Sequence, residues 1–283
     1  MEQPVAPCLG QEAFQGSRVD ENLKRRIEVG RKAVEAQVDL LHENFGRAES
    51  SWKYDGTRVT PIDLKITENI FASLAAAFPD DHLCSEENDP GNGPIELTER
   101  FAWILDPVDG TNNYAIGIPM VAISLALLDQ GEPVYGLVYD LGGRCLYHGG
   151  PGYGLWLDNE PLTRREPDEI KDLVLGLHSP VDERHMPVVQ AVLSGYKVRA
   201  HGSGTLHLTN VALGRMDACL DFTIKTWDIA AAVAFCRESG IDLEFLDRSP
   251  FPIMNFDVRM SSVPYLAARP EIMADLKSRL HLG

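Results

Sequence analysis

The sequence predicts a layered α/β protein with two differently built halves. Three observations carry that expectation. Apolar residues recur at helical spacing over two N-terminal stretches. Three apolar runs separated by short turns then follow, as in an antiparallel meander. From about residue 174, strand-like and helix-like segments alternate.

Residues 1–16 show little periodic pattern and are expected to form a loose arm. From Asp20 to Phe45, Leu23, Ile27, Val34, Leu41 and Phe45 recur between Lys, Arg and Glu, which predicts one long amphipathic helix. Thr60-Pro61 opens a second helix, with Thr as N-cap and Pro at the first helical position. It runs through Ile62, Ile66, Ile70 and Leu74 to about Phe78, where Pro79-Asp80-Asp81 ends it. A short strand at His82–Ser85 leads into Glu86-Glu87. Asn88–Glu99, rich in Asp, Pro and Gly, is expected to be a flexible surface loop. Phe101–Leu105 is an apolar strand ending at Asp106. Val121–Leu128, Pro133–Tyr139 and Arg144–His148 form the meander.

The glycine-dense stretch Gly149–Gly154 is the expected join between an N-terminal half, 17–150, and a C-terminal half, 151–283. Beyond it, Val174–Leu177, Tyr196–Ala200 and Ala218–Phe222 are predicted strands. Glu183–Leu193, Thr205–Leu213 and Ile229–Ser239 are predicted helices.

Composition narrows the function. A formal charge of −16 argues against a general nucleic-acid binder, which needs Lys and Arg facing phosphates. It leaves room for a small phosphorylated substrate, because bound divalent cations reverse the sign of an acidic site. The N-terminus lacks the basic and apolar regions of a signal peptide, and no run is long enough to span a membrane, so a cytoplasmic protein is expected. Five scattered cysteines with no Cys-x-x-Cys pair suggest free thiols, neither a disulfide framework nor a zinc cluster.

The richest segment is Asp106-Pro107-Val108-Asp109-Gly110-Thr111. Asp106 falls at a strand end. Pro107 stiffens the turn, and two carboxylates with the Val108 carbonyl between them form an all-oxygen set of the kind Mg2+ prefers. Gly110 allows a ligand to approach the backbone, and the Gly110 and Thr111 amides at a helix start suit a phosphate. By itself the segment is equally an acidic surface turn with Thr111 as a helix cap. Glu86-Glu87 is equally a solvated acidic pair, Asp63 a capping-box residue, and Asp228 in Trp227-Asp228 a plain N-cap.

Order and spacing join these pieces. Lys53-x-Asp55-Gly56-Thr57-x-Val59-Thr60-x-x-Asp63, Ser85-Glu86-Glu87, Trp103-Ile104-Leu105-Asp106-Pro107-Val108-Asp109-Gly110-Thr111-x-Asn113-Tyr114 and Trp227-Asp228-x-Ala230-Ala231 together resemble the inositol monophosphatase family, from about residue 20 to residue 270. That resemblance implies an αβαβα sandwich, with a larger antiparallel sheet in the N-terminal half and a smaller mixed sheet in the C-terminal half. It also implies a likeness to lithium-sensitive, magnesium-dependent phosphatases and a homodimer. Carried across, Glu86, Asp106 and the Val108 carbonyl would hold one Mg2+. Asp106, Asp109 and Asp228 would hold a second, and a third would sit near Glu86 through waters. Mn2+ would be able to stand in and Li+ would inhibit. Asp63 and Thr111, assisted by Glu86, would orient and deprotonate the attacking water. Amides of Gly110 and Thr111 would hold the phosphate beside Asp109, with Lys53 adding positive charge at the edge. Gly202-Ser203-Gly204 and Asp221 would contact the alcohol portion.

The chain departs from the family at Glu238-Ser239-Gly240-Ile241, where Glu-Ala-Gly-Gly is usual, and at Asn112 and Tyr114. Inositol monophosphate or a similar polyol phosphate is the substrate expected. Fructose-1,6-bisphosphate, 3′-phosphoadenosine-5′-phosphate and histidinol phosphate are alternatives, with Lys225 as a site for a second anionic group. A non-catalytic regulatory binding protein is the alternative of another class.

Overall fold

The computed structural model describes residues 21–53, 56–165 and 173–281. The expected arm at 1–16, the helix start at Asp20 and Asp55 of the Lys53 motif lie outside the described residues. The chain begins with α1 (Glu21–Glu35), α2 (Val38–Asn44), the hairpin β1 (Ser51–Trp52) and β2 (Arg58–Val59), and α3 (Pro61–Ala77). Then come β3 (His82–Ser85), β4 (Ile95–Glu96), β5 (Phe101–Asp109), α4 (Thr111–Ile116), β6 (Ala122–Asp129), β7 (Glu132–Asp140), β8 (Cys145–Gly150), β9 (Gly154–Leu157) and β10 (Glu160–Leu162). The remainder is β11 (Val174–Leu177), α5 (Met186–Gly195), β12 (Lys197–Arg199), α6 (Gly204–Ala212), β13 (Ala218–Asp221), α7 (Thr226–Ser239), β14 (Asp242–Phe245), β15 (Asn255–Phe256), β16 (Tyr265–Ala268) and α8 (Pro270–Leu280).

Three buried apolar clusters stack these elements into five layers. Leu23, Val34, Ile66 and Leu74 of the N-terminal helices cover Trp103, Leu105, Ile123 and Leu125 on one face of a seven-stranded sheet. Ala102, Ile104 and Val138 on its other face meet Leu208 of α6 and Ile229, Val233 and Phe235 of α7. Those helices also cover Cys219 and Tyr265 of a five-stranded sheet. Leu175, Leu220 and Leu266 on that sheet's far face pack on Val192 of α5 and Ile272 and Leu276 of α8. Alternation along β5, with Trp103 and Leu105 one way and Ala102 and Ile104 the other, is the period-two pattern that buries both faces. The αβαβα order expected from the family resemblance is therefore present.

Several boundaries differ. The long N-terminal helix is two helices, broken at Ala36-Gln37. Buried Gln37 turns there to accept from Asn69 at 2.8 Å and donate to the Ala33 carbonyl at 3.0 Å. The large sheet is antiparallel except for β3, which runs parallel to β5 at its edge. Parallel neighbours need a long crossover, and the supposed loop 88–99 supplies it. That segment holds a 3-10 turn at Pro90–Asn92 and β4, which pairs with β15. The glycine-dense stretch is a hairpin, not a join: β9 and β10 extend the same sheet past residue 150. A Cβ on Gly150 would stand 2.3 Å from the Val134 carbonyl oxygen, so the glycine there serves close strand packing. The C-terminal sheet is mixed, with β11 parallel to β12 and β13, and β16 antiparallel to β13 and β14. The helix expected at 229–239 starts at Thr226, so Asp228 lies in its first turn, not at its N-cap.

Candidate metal centre

The centre starts from a defect in β5. Side chains alternate along a strand, so Asp106 and Asp109 would ordinarily face opposite sides. Asp106 pairs with Ser124 and Asp109 with Ala122, so three residues of β5 span two of β6. The extra residue is a bulge, and it brings both carboxylates to the same side. Pro107 sits inside it, where no ladder donor is needed. The bulge side faces the helix layer between the sheets. There α7 presents Asp228 from its first turn and α6 presents its N-terminus.

Candidate ligand oxygens of Asp106, Asp109 and Asp228 lie within 4.8 Å of one another. Asp109 accepts from the Ser203 hydroxyl and from the Thr205 amide at 2.8 Å, and Asp228 accepts from the Lys225 amide at 2.7 Å. Asp106 accepts from the Val108 amide at 3.1 Å. No lysine or arginine among the described residues pairs with any of the three. Burial pushes all three carboxyl pKa values up, Asp106 and Asp228 strongly; neighbouring carboxylates add to the rise at those two, whereas the bonds from Ser203 and Thr205 oppose it at Asp109. Converging buried carboxylates without a cationic partner fit a bound divalent cation, which would remove that repulsion.

A second acidic group adjoins it. Candidate ligand oxygens of Asp63, Glu86 and Glu87 also lie within 4.8 Å of one another. Asp63 is the third residue of α3. Its Oδ2 accepts from the Thr60 amide at 2.9 Å and the Thr60 hydroxyl at 2.5 Å. Its Oδ1 lies 3.2 Å from Thr111 Oγ1, whose hydroxyl is also 2.9 Å from the Val108 carbonyl. Capping and a place in the site are thus the same carboxylate's two oxygens. Burial raises the Asp63 pKa to about 6, against the lowering effect of Thr60. Burial and Glu86 likewise raise that of Glu87.

Lys53 does not stand free at the edge. It is buried between Glu86 at 3.1 Å and Glu87 at 2.7 Å, and their charges hold its pKa above the ordinary value despite burial. Gly110 has φ +87° and caps α4 with no side chain, leaving the first-turn amides open to an anion. Gly202, Ser203 and Gly204 are brought to the centre, but not as an open alcohol contact. Ser203 is fully buried, accepts from Leu206 at 3.2 Å as the N-cap of α6, and donates to Asp109. Asp221 is also fully buried. Its Oδ1 accepts from Thr223 and Ile224, and its Oδ2 faces His178 Nδ1 at 3.6 Å. Lys225 donates to the Met260 carbonyl at 2.6 Å. Sequence reasoning missed His178 and His207, which gather with Asp221. Nothing in their local sequence marks them, since the contact is made only when β11, β13 and α6 come together.

Fold and site together define a metal-dependent phosphatase with an acidic centre between two halves. The inositol monophosphatase family profile matches residues 19–280, and the chain belongs to that family, whose members act on small phosphorylated compounds. An inositol-1-monophosphatase of Bacillus subtilis is 30% identical over 84% of this chain and 89% of its own length. A fructose-1,6-bisphosphatase/inositol-1-monophosphatase of Aquifex aeolicus is 30% identical over 78% of this chain and 85% of its own. Among solved structures, the extragenic suppressor protein SuhB of Bartonella henselae superposes with a TM-score of 0.77 at 25% identity, covering 90% of this chain and 98% of that one.

Proposed function

We propose that the protein is a Mg2+-dependent phosphomonoesterase for inositol monophosphate or a similar polyol phosphate. The observation that carries this reading is the trio Asp106, Asp109 and Asp228, the first two buried and the third partly so, without a cationic partner and beside the Thr111–Asp63 hydrogen bond. Bound there, Mg2+ would set positive charge against the phosphate oxygens and lower the pKa of water in the site. Asp106, Asp109, Asp228, Glu86 and the Val108 carbonyl are the residues that would hold it.

The chain's own contribution is positioning and proton transfer. The open amides of Gly110 and Thr111 orient the phosphate. A water donating to Thr111 Oγ1 loses its proton along the bond from Thr111 to Asp63 Oδ1. Asp63 Oδ2 is fixed by Thr60, so the acceptor does not turn away. With its pKa raised to about 6, Asp63 is a better proton acceptor than an exposed aspartate. The same reading includes Li+ inhibition, Mn2+ as a working substitute, a homodimer and a cytoplasmic location. Among the described residues no helix is long and apolar enough to cross a membrane.

A second reading, fructose-1,6-bisphosphate as substrate, is favoured by the double activity in the name of the Aquifex relative. Phosphate release from inositol 1-phosphate, fructose-1,6-bisphosphate, 3′-phosphoadenosine-5′-phosphate and histidinol phosphate, with and without Mg2+ and Li+, tests both. The leading reading expects the highest kcat/KM on inositol 1-phosphate, strict Mg2+ dependence and inhibition by Li+. Mg2+ binding with no turnover of any ester would instead mean a regulatory binding protein.

A further inference from the structure

We propose that His178, positioned by Asp221, is the side chain that meets the hydroxyls of the substrate's alcohol portion, and that it selects polyol phosphates. This rests on the phosphatase reading above and adds the residue that recognises the leaving group.

Asp221 is poorly placed to do this itself. It is fully buried; three donors from Thr223 and Ile224 occupy Oδ1, and Oδ2 is sealed from solvent. The group facing Oδ2 is His178 Nδ1, at 3.6 Å. The His178 side chain keeps 24% of its surface exposed. Its Nδ1 is sealed, whereas Nε2 has no protein partner and is not sealed. The imidazole therefore turns one nitrogen toward a buried carboxylate, close to it but not hydrogen-bonded, and the other outward. It also lies towards the chemistry: its ring meets that of His207 at 6.3 Å, and His207 stands on α6, whose Thr205 amide donates to Asp109.

His207 lies buried beside His178 and Asp221 but is no metal ligand. Candidate ligand atoms of His178, His207 and Asp221 lie within 4.8 Å of one another, an N2O set that resembles a zinc site. His207 Nε2, however, accepts the His201 amide at 2.9 Å, and burial keeps the ring neutral, so its single proton is on Nδ1. Neither nitrogen has a free lone pair for a metal. What remains is an N–H beside a buried carboxylate, both without protein partners, which favours a hydrogen-bonding neighbour over a cation.

The test compares inositol 1-phosphate with p-nitrophenyl phosphate, whose leaving group bears no other hydroxyl, in the Mg2+-loaded wild type, His178→Ala, His178→Gln and Asp221→Asn. For His178→Ala, KM for inositol 1-phosphate should rise roughly tenfold, the scale of one lost hydrogen bond to a substrate hydroxyl, with kcat little changed. KM for the aryl ester should stay within about twofold. His178→Gln should recover part of the loss, and Asp221→Asn should fall between the wild type and His178→Ala. Equal effects of His178→Ala on both esters would overturn the assignment. So would a silent His178→Ala beside a large effect of Asp221→Asn, which would mean that Asp221 touches the substrate directly. If the wild type cleaves neither ester, the phosphatase reading itself fails and this one with it.

Discussion

Two clusters of mostly buried titratable side chains gather where strand ends meet α6 and α7, and they solve the same electrostatic problem differently. Asp106, Asp109 and Asp228 are all acids, drawn from a strand of the first sheet and a helix of the second half. Asp221, His178 and His207 come wholly from the second half and mix an acid with two imidazoles. The first cluster has no internal counter-charge, a set that suits a cation from outside. The second holds one acid among imidazole nitrogens and leaves hydrogen-bonding capacity over. A cluster's composition, more than its burial, decides whether it takes a metal or a hydroxyl.

The sharpest way to break that contrast is to remove one acid from each. Asp106→Asn should lower kcat at saturating Mg2+ by on the order of a thousandfold, since cation stabilisation of the transition state is worth several kcal/mol. Its fold should persist, and in EDTA its Tm should equal or exceed the wild type's, because one repelling charge is gone. Asp221→Asn should spare kcat.

Metal removal should invert the pH dependence of stability. A carboxyl whose folded pKa is raised holds its proton more tightly when folded, so its contribution is complete at low pH and is lost as pH rises through the folded value. For Asp63 the window runs from its ordinary 3.8 to about 6. That shift corresponds to about 3 kcal/mol in the metal-free protein. Asp106 and Asp228 extend the loss to higher pH. Tm in EDTA should therefore fall between pH 4 and 8, and added Mg2+ should flatten the curve. A Tm in EDTA that rises over that range would contradict the account.

Smaller effects test how each half is held to the centre. Ser203→Ala removes both a helix cap and a donor to Asp109, and should cost about 1 kcal/mol by urea unfolding, with weaker Mg2+ binding. Lys53→Gln leaves Glu86 and Glu87 without their shared cation. Calorimetry should then show tighter Mg2+ binding, by roughly threefold to tenfold, because a competing positive charge of about 1 kcal/mol is removed.

Much of the site was legible because its signals are local. Thr60-Pro61-x-Asp63 announces a helix start and a carboxylate in one phrase, and the structure has Asp63 capping α3 while its other oxygen faces Thr111. Asp106 and Asp109 were legible as a pair, though the bulge that turns them to one side depends on pairing with β6. The bond of Ser203 to Asp109 was not legible because its partner lies in the other half of the chain. The break at Ala36-Gln37 was hidden because Val34 and Leu41 keep helical spacing across it. The large sheet's continuation into β9 and β10 was masked by glycines that serve strand packing and look like a linker. His178 and His207 gave no signal at all, since an isolated histidine at a strand end or inside a helix becomes informative only beside its neighbours.

The central claim is that the acidic trio, and not the histidine cluster, holds the cation. Anomalous diffraction from crystals soaked in Mn2+ tests it directly. The account predicts a peak within coordination distance of Asp106, Asp109 and Asp228, and none at His178, His207 and Asp221. A peak at the histidines, or an empty acidic trio at saturating Mn2+, would contradict it.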